Sequence, residues 1–405
     1  MDVHSSLFES HRAARAVEHL TVSAEPATLT VFLGAFNAKS HLDSLHKILV
    51  SQQWTPGVQL LVADNDSDDE TFEQLMSIAA QLNASEVSCV KNSKNLGALG
   101  SLYLNLDLVK GSWITFIHQD DWYSSTYVSQ SLAAARDHEL QPVSTVSFDY
   151  LTKIGDEAPR HLANPTWFAK GVGDPKKFLE NLANHSIPWP CTVFRTTYLK
   201  TNLVPFHSSA FLDTELTLLN VTQGNNVYTK TRPMTYSVNA MSGSHSMPSV
   251  ESETARFASL MRIFSSDTYL AILDSLENDA ATEWVKDVIS AAQQYFSEPR
   301  LREVLQLTVL EISVFRRGYL APGLNKELAK VYQNFGADSP ANILSNLHAE
   351  EIDKPEVPRY SGETAMYRTR GIWGWLRLIV SGRVFKVVMK VIPKRLLPSP
   401  WKFFK

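Results

Sequence analysis

Apolar residues in this chain come in short continuous runs separated by helical repeats, and the alternation starts at residue 28. Thr28 to Gly34, T-L-T-V-F-L-G, predicts a strand buried on both faces. It breaks at Ala35-Phe36-Asn37. His41, Leu42, Leu45, Ile48 and Leu49 then recur at helical spacing, so a helix is expected over roughly 39 to 52. Val58 to Ala63 predicts a second strand, followed by a polar loop, Asp64 to Thr71. Ser67 and Glu70 have the spacing of a capping box before a helix carrying Phe72, Leu75, Ile78 and Ala79. Glu86 to Val90 reads as a third strand, and Asn95-Leu96-Gly97 opens a helix through Val109. Trp113 to Ile117 is a fourth buried strand, ending in the polar residues His118, Gln119, Asp120 and Asp121.

Strands alternating with helices through short loops predict an open α/β sheet. Such sheets bind ligands outside the carboxyl ends of their strands. Phe36/Asn37, Asp64 and Asp120/Asp121 all fall at such ends, so three polar loops are expected on one rim. Adjacent acids are costly to hold together unless a cation sits between them and something anionic. Oxygen ligands of this kind suit Mg²⁺ or Mn²⁺, and such ions commonly share their shell with phosphates. A solvated loop, or a cap for the segment from Ser124, would also account for the pair. No G-x-G-x-x-G follows the first strand and no P-loop is present, which removes support from oxidoreductase and kinase readings.

Beyond residue 149 the pattern loosens. Residues 149 to 190 are rich in proline, with a helical piece near 174 to 184 and a turn into a strand over Ile187 to Phe194. Phe211-Leu212-Asp213-Thr214-Glu215-Leu216 opens an apolar helix, and Met241 to Met247 reads as a polar loop before another helix near Val250. Residues 250 to 349 repeat helical periodicity and predict a helical domain, with an oligomer interface as one possible use. Residues 350 to 363 read as a linker. The expected division is a lead-in over 1–27, a catalytic domain over 28–249 with halves 28–125 and 126–249, the helical domain, the linker and a tail over 364–405.

Charge sharpens that tail. The net charge is −4, yet residues 364–405 hold ten of the 38 basic residues and no acid. The rest holds 28 basic residues against 42 acids, a balance of −14. Arg383, Lys386, Lys390 and Lys394 share one helical face, and Trp373, Trp375, Trp401, Phe403 and Phe404 suit a membrane interface. An anionic membrane surface is the expected partner, with docking on the acidic body as the alternative. Nucleic acid is not expected. No run of about 18 apolar residues predicts a spanning helix. The first ten residues lack the apolar core of a secretory signal. Cys89 and Cys191 have neither metal nor disulfide spacing and are read as buried thiols in a reducing compartment. The sequons at Asn83, Asn184 and Asn220 are then chance matches, and the expected location is cytoplasmic, on the inner face of the cell membrane.

Over residues 28 to 240 the motifs resemble family 2 glycosyltransferases of the GT-A fold, on the pattern of bacterial rhamnosyltransferase-like enzymes of surface polysaccharide synthesis. L-L-V-A-D-N-D-S-D-D-E-T looks like the family's strand plus V-D-D-G-S-x-D-x-T. N-L-G-A-L-G-S-L-Y-L-N-L-D-L-V-K-G looks like its N-x-G helix ending in Gly, and I-T-F-I-H-Q-D-D like its strand plus D-x-D-D. The resemblance implies an open mixed sheet flanked by helices. It also implies an inverting, metal-dependent transfer of a sugar from a nucleotide-diphosphate donor to a lipid-linked or growing cell-surface glycan.

It implies roles as well. Asp64, with Asp69 nearby, contacts the donor base; Phe36 and Asn37 line the base and ribose; Asn95 and Gly97 shape the loop beside the nucleotide. Asp120 binds Mn²⁺ or Mg²⁺, and Asp121 backs it or touches the sugar. Gln119 belongs to the same donor-binding loop. His118 stands where the family usually has Asp; it serves a ribose hydroxyl or the metal but brings no fixed negative charge. Asp213 is the expected catalytic base and Glu215 its alternate. Apart from the resemblance, Trp189 is a candidate acceptor platform or else a core tryptophan, and His245 a candidate metal or phosphate ligand or else a solvated loop histidine. Two other readings stay open: a nucleotidyltransferase of the same fold, although its glycine-rich basic loop is missing at Ala35–Ala38, and a non-catalytic sugar-nucleotide-binding protein.

Overall fold

The computed structural model divides the chain into two compact units, Met1–Ser252 and Glu253–Lys405. It describes residues 3–161 except 24; 174–203 except 181 and 183–187; 218; 226–238; and 257–335 except 258, 262, 295, 297–298 and 318–321.

In the first unit, α1 (Val3–Ala14) and β1 (Ala16–Thr21) precede the predicted alternation. Then come β2 (Leu29–Ala35), α2 (Leu42–Ser51), β3 (Val58–Asp64), α3 (Thr71–Ala79), β4 (Glu86–Lys91), α4 (Gly97–Asn105) and β5 (Trp113–His118). β6 (Trp122–Tyr123), α5 (Tyr127–Asp137), β7 (Thr145–Phe148), β8 (Leu151–Ile154), α6 (Pro175–Glu180), β9 (Thr192–Arg195), α7 (Thr196–Asn202), β10 (Asn226–Thr229) and β11 (Met234–Val238) follow. Eight strands form one mixed sheet in the order β1-β4-β3-β2-β5-β9-β7-β10. β4, β3, β2 and β5 run parallel, whereas β9 is antiparallel to both β5 and β7. A second sheet, β6-β11-β8, has three strands.

The parallel strands are mostly apolar because both faces are covered. All seven residues of β3 are buried, and Phe32, Leu61, Val90, Ile114, Phe116 and Phe194 meet in one core cluster. Where strand residues are polar they bond one another. Thr30 Oγ1 donates to Gln59 Oε1 (2.7 Å), and Gly111 N donates to Thr30 Oγ1 (2.9 Å). That bond fixes the entrance of β5 against the start of β2.

Three expectations need correction. Residues 1–27 are more than a lead-in: β1 closes the sheet edge by pairing antiparallel with β4. The capping box over Ser67 and Glu70 does not form. The Ser67 hydroxyl is taken by Asp64, and the helix starts instead at Thr71, with Asp69 Oδ1 accepting from Thr71 N at 2.9 Å. The helix expected to run to Val109 ends at Asn105. Beyond it, Asp107 turns out to pair with Arg15 at 2.5 Å.

The second unit contains α8 (Asp267–Ser275), α9 (Asn278–Gln293), α10 (Pro299–Arg317) and α11 (Pro322–Phe335). Ser266 caps α8 by accepting from Tyr269 N at 3.2 Å. Tyr269 stacks on Trp284 with ring centroids 5.3 Å apart, and its hydroxyl meets Ser313 Oγ at 2.8 Å. The expected linker and basic tail lie outside the described residues.

Candidate active site

Registry brings the predicted rim together. Ala35 pairs with Asp64 and Gly34 with His118, so the carboxyl ends of β3, β2 and β5 lie side by side. The loops leaving them are tied by short polar bonds. Asn37 takes a left-handed backbone (φ 46°), which asparagine tolerates better than most residues. Its amide donates to Ser67 Oγ (2.9 Å), and its side-chain oxygen accepts from Asp68 N (3.2 Å). Ala38 N donates to Thr71 Oγ1 (2.7 Å) and Lys39 N to Asp69 Oδ2 (3.3 Å). On the other side, Gln119 clamps the main chain of Phe36. It accepts from Phe36 N at 3.1 Å and donates to Phe36 O at 3.3 Å.

Asp64, expected at the donor base, is fully buried. Its oxygens accept from Ser67, at 3.0 Å from the amide and 2.5 Å from the hydroxyl. Burial pushes this carboxyl above its ordinary value, against the pull of the Ser67 bonds. Asp64 therefore organises its own loop. The next two positions depart from the motif's D-G: Asn65 is buried, and Asp66 sits at φ 65°, a conformation glycine adopts freely. Asn65 was not singled out in the sequence. Its Nδ2 donates to Asn95 Oδ1 (2.6 Å), and its Oδ1 accepts from Leu96 N (3.2 Å) and Asn92 Nδ2 (3.3 Å). Asn95 Oδ1 also accepts from Gly97 N (2.9 Å), where φ is 73°. Asn95 and Gly97 thus shape the loop through mutual bonds.

At the tip of β5, ligand atoms of His118, Asp120 and Asp121 all lie within 4.8 Å of one another. Among the described residues this is the one group that could hold a metal ion. Asp121 is buried, and its Oδ1 accepts from Ser237 N of β11 at 2.8 Å. Its Oδ2 has no hydrogen-bond partner and lies 3.8 Å from His118 Nδ1. Burial and the neighbouring Asp120 charge push the Asp121 carboxyl well above its ordinary value. A buried oxygen without a partner, beside a second carboxylate and an imidazole, fits a divalent cation that takes oxygen and nitrogen ligands. His118 fits in that set as a neutral donor.

A cavity of about 210 Å³ opens here, lined by Gln119, Asp120, Asp121, Trp122, Lys153 and Ser237, with the start of α2 on another wall. Trp122 is 52% exposed. Trp189, the expected acceptor platform, is half-buried and does not line the cavity. It packs edge-on to Phe116 (4.9 Å) and tilted against Phe194 (5.5 Å). Trp122 and Lys153 escaped the sequence reading, although Trp122 directly follows the acids. Asp213, Glu215 and His245 lie outside the described residues.

Residues 30–203 match the sequence model of the family described as Glycosyl transferase family 2. A segment of 104 residues is 25% identical to the Escherichia coli UDP-Glc:alpha-D-GlcNAc-diphosphoundecaprenol beta-1,3-glucosyltransferase WfaP. That match covers 26% of this chain and 39% of that protein's length. Among solved structures, S. aureus TarS 1–349 in complex with UDP-GlcNAc is similar with a TM-score of 0.44 and 14% identity, over 76% of this chain and 92% of that one. The Pyrobaculum calidifontis mannosyltransferase PcManGT, with GDP-Man and Mn²⁺, has a TM-score of 0.40 and 10% identity, over 95% and 94% of the two chains. These two likenesses are too distant to assign a function. The family match is the specific one, and it spans the strands whose ends carry the rim acids: residues 30–203 are similar in sequence to glycosyl transferase family 2.

Proposed function

We propose that this protein is an inverting glycosyltransferase that moves a sugar from a nucleotide-diphosphate donor to a lipid-linked or growing cell-surface glycan. The observation that carries the reading is the His118–Asp120–Asp121 cluster at the end of a parallel strand inside the stretch similar to family 2. The E. coli relative is named for a UDP-Glc donor and a diphosphoundecaprenol-linked acceptor, which supports the lipid-linked alternative.

In this reading the loops bearing Phe36–Asn37, Asp64–Asp69 and Asn95–Gly97 hold base and ribose. Gln119 keeps the first of them in place. Asp120, Asp121 and His118 would hold Mn²⁺ or Mg²⁺. When bound, the ion offsets negative charge on the departing nucleoside diphosphate. Asp213, with Glu215 as alternate, takes the proton of the acceptor hydroxyl as that oxygen attacks the anomeric carbon. Attack from the face opposite the diphosphate inverts the configuration.

The test is a thermal-shift panel of UDP-, GDP- and dTDP-sugars with Mn²⁺. A ligand that binds only the folded state stabilises it by about 2.7 kcal/mol at 100 times its Kd. The expected result is a raised Tm with at least one donor; no shift across the panel sinks the reading.

We further propose that residues 364–405 hold the protein on an anionic membrane. No helix among the described residues is long and apolar enough to cross one. Ten basic residues, each worth about 1 kcal/mol near an anionic surface, make strong binding to phosphatidylglycerol vesicles the expected outcome. Removing 364–405 should abolish co-sedimentation with those vesicles. Unchanged sedimentation would return the tail to the acidic body of the protein.

A further inference from the structure

We infer that Lys153 binds the donor's diphosphate, a role that rests on the glycosyltransferase reading and assigns it a cationic ligand from the chain itself. Lys153 is placed by backbone registry. It pairs with Ser237 across the parallel β8–β11 ladder, and the amide of that same Ser237 holds Asp121 Oδ1. The lysine therefore lines the same cavity as Asp120 and Asp121.

Its ammonium lies 5.7 Å from the centroid of the Trp122 ring, a cation–π contact that steadies the side chain without neutralising it. Among the described residues it makes no ion pair, and Asp121 Oδ2 likewise has no hydrogen-bond partner. Opposite charges thus line one small cavity without touching. An apolar ligand would leave both sides unsatisfied, and a simple anion would leave the acids so. A ligand bearing both signs satisfies the two together, as a diphosphate does when it chelates a divalent ion. The acids face the ion and the lysine faces a phosphate oxygen. Because His118 contributes no fixed charge, a lysine on the phosphate side adds positive charge where the donor needs it.

Diphosphate chemistry is shared by the donor and by a lipid-diphosphate acceptor, and two measurements separate them. Calorimetric titration of the full-length protein in Mn²⁺ with UDP, GDP and dTDP identifies the tightest nucleotide. For that nucleotide Lys153→Met is expected to weaken binding about 10- to 100-fold, the loss of one charge-assisted hydrogen bond. Lys153→Arg is expected to recover most of it. The matching nucleoside, followed by competition, should bind both variants as it binds the unchanged protein, which separates lost phosphate contact from a disturbed fold.

If the unchanged protein binds none of the three nucleotides, the glycosyltransferase reading falls and this role falls with it. If it binds one and Lys153→Met binds equally well, the role of Lys153 alone is overturned. A raised acceptor KM with unchanged nucleotide binding overturns it too, by assigning the lysine to the acceptor.

Discussion

Asp120→Ala should lower kcat by about 10³-fold while leaving the protein folded. Asp120 belongs to the three-residue cluster that fits a divalent ion, yet it makes no hydrogen bond to any described residue. Its loss therefore removes no structural bond, unlike loss of Asp121, which would free the Ser237 amide. Lewis-acid stabilisation of a departing diphosphate is worth several kcal/mol, and about 4 kcal/mol is a factor of 10³ in rate. The check is kcat with saturating donor and Mn²⁺, alongside Tm of the apo variant. Activity within about fivefold of the original would remove Asp120 from ion binding. A lost Tm would show the carboxylate to be structural.

Gly111→Ala should produce the largest loss of stability among single methyl additions in the first unit, about 4 kcal/mol. A Cβ built there would lie 2.4 Å from Thr30 N, 2.6 Å from Trp113 O and 2.7 Å from Leu29 C. All three are backbone atoms, so no side-chain rotation can relieve the overlap. Gly111 is also bonded on both sides, its amide to Thr30 Oγ1 and its carbonyl to Thr196 Oγ1 at 2.7 Å. Moving it means parting β5 from β2 at the base of the sheet. Urea denaturation measures the effect. A shift below about 1 kcal/mol would mean that the strand entrance has slack not visible in its bonds.

The parts legible in the sequence share a physical cause. Strands buried on both faces are mainly apolar, so β2, β3 and β5 stand out as runs. Helices resting on them show a repeated apolar stripe. Polar residues at the ends of such strands have nowhere to go but the rim, which is why Asn37, Asp64 and Asp120 could be placed there together.

What stayed hidden was decided by partners distant in sequence. β1 reads A-V-E-H-L-T and half-buries only Val17 and Leu20, three residues apart, so it lacks the two-residue alternation of a regular strand. Nothing local distinguishes it from a loop until β4 is beside it. Ser67 has the spacing of a helix cap, but a buried Asp64 carboxylate needed donors and took both its amide and its hydroxyl. Trp189 was named as an aromatic platform, yet Phe116 and Phe194 decide where its ring rests. Lys153 lies in a strand of four residues whose meaning depends entirely on Ser237 across the ladder.

The Gln119 clamp grips Phe36 by its amide and carbonyl alone. Such a grip is blind to which side chain stands at 36. Evolution can therefore exchange that residue, and with it the surface that the proposed function offers to a nucleotide's ring, without loosening the bonds between the two strand tips. Position 36 is a replaceable facing on a fixed frame, and relatives that differ there would be expected to differ in taste for the nucleotide before they differ in shape.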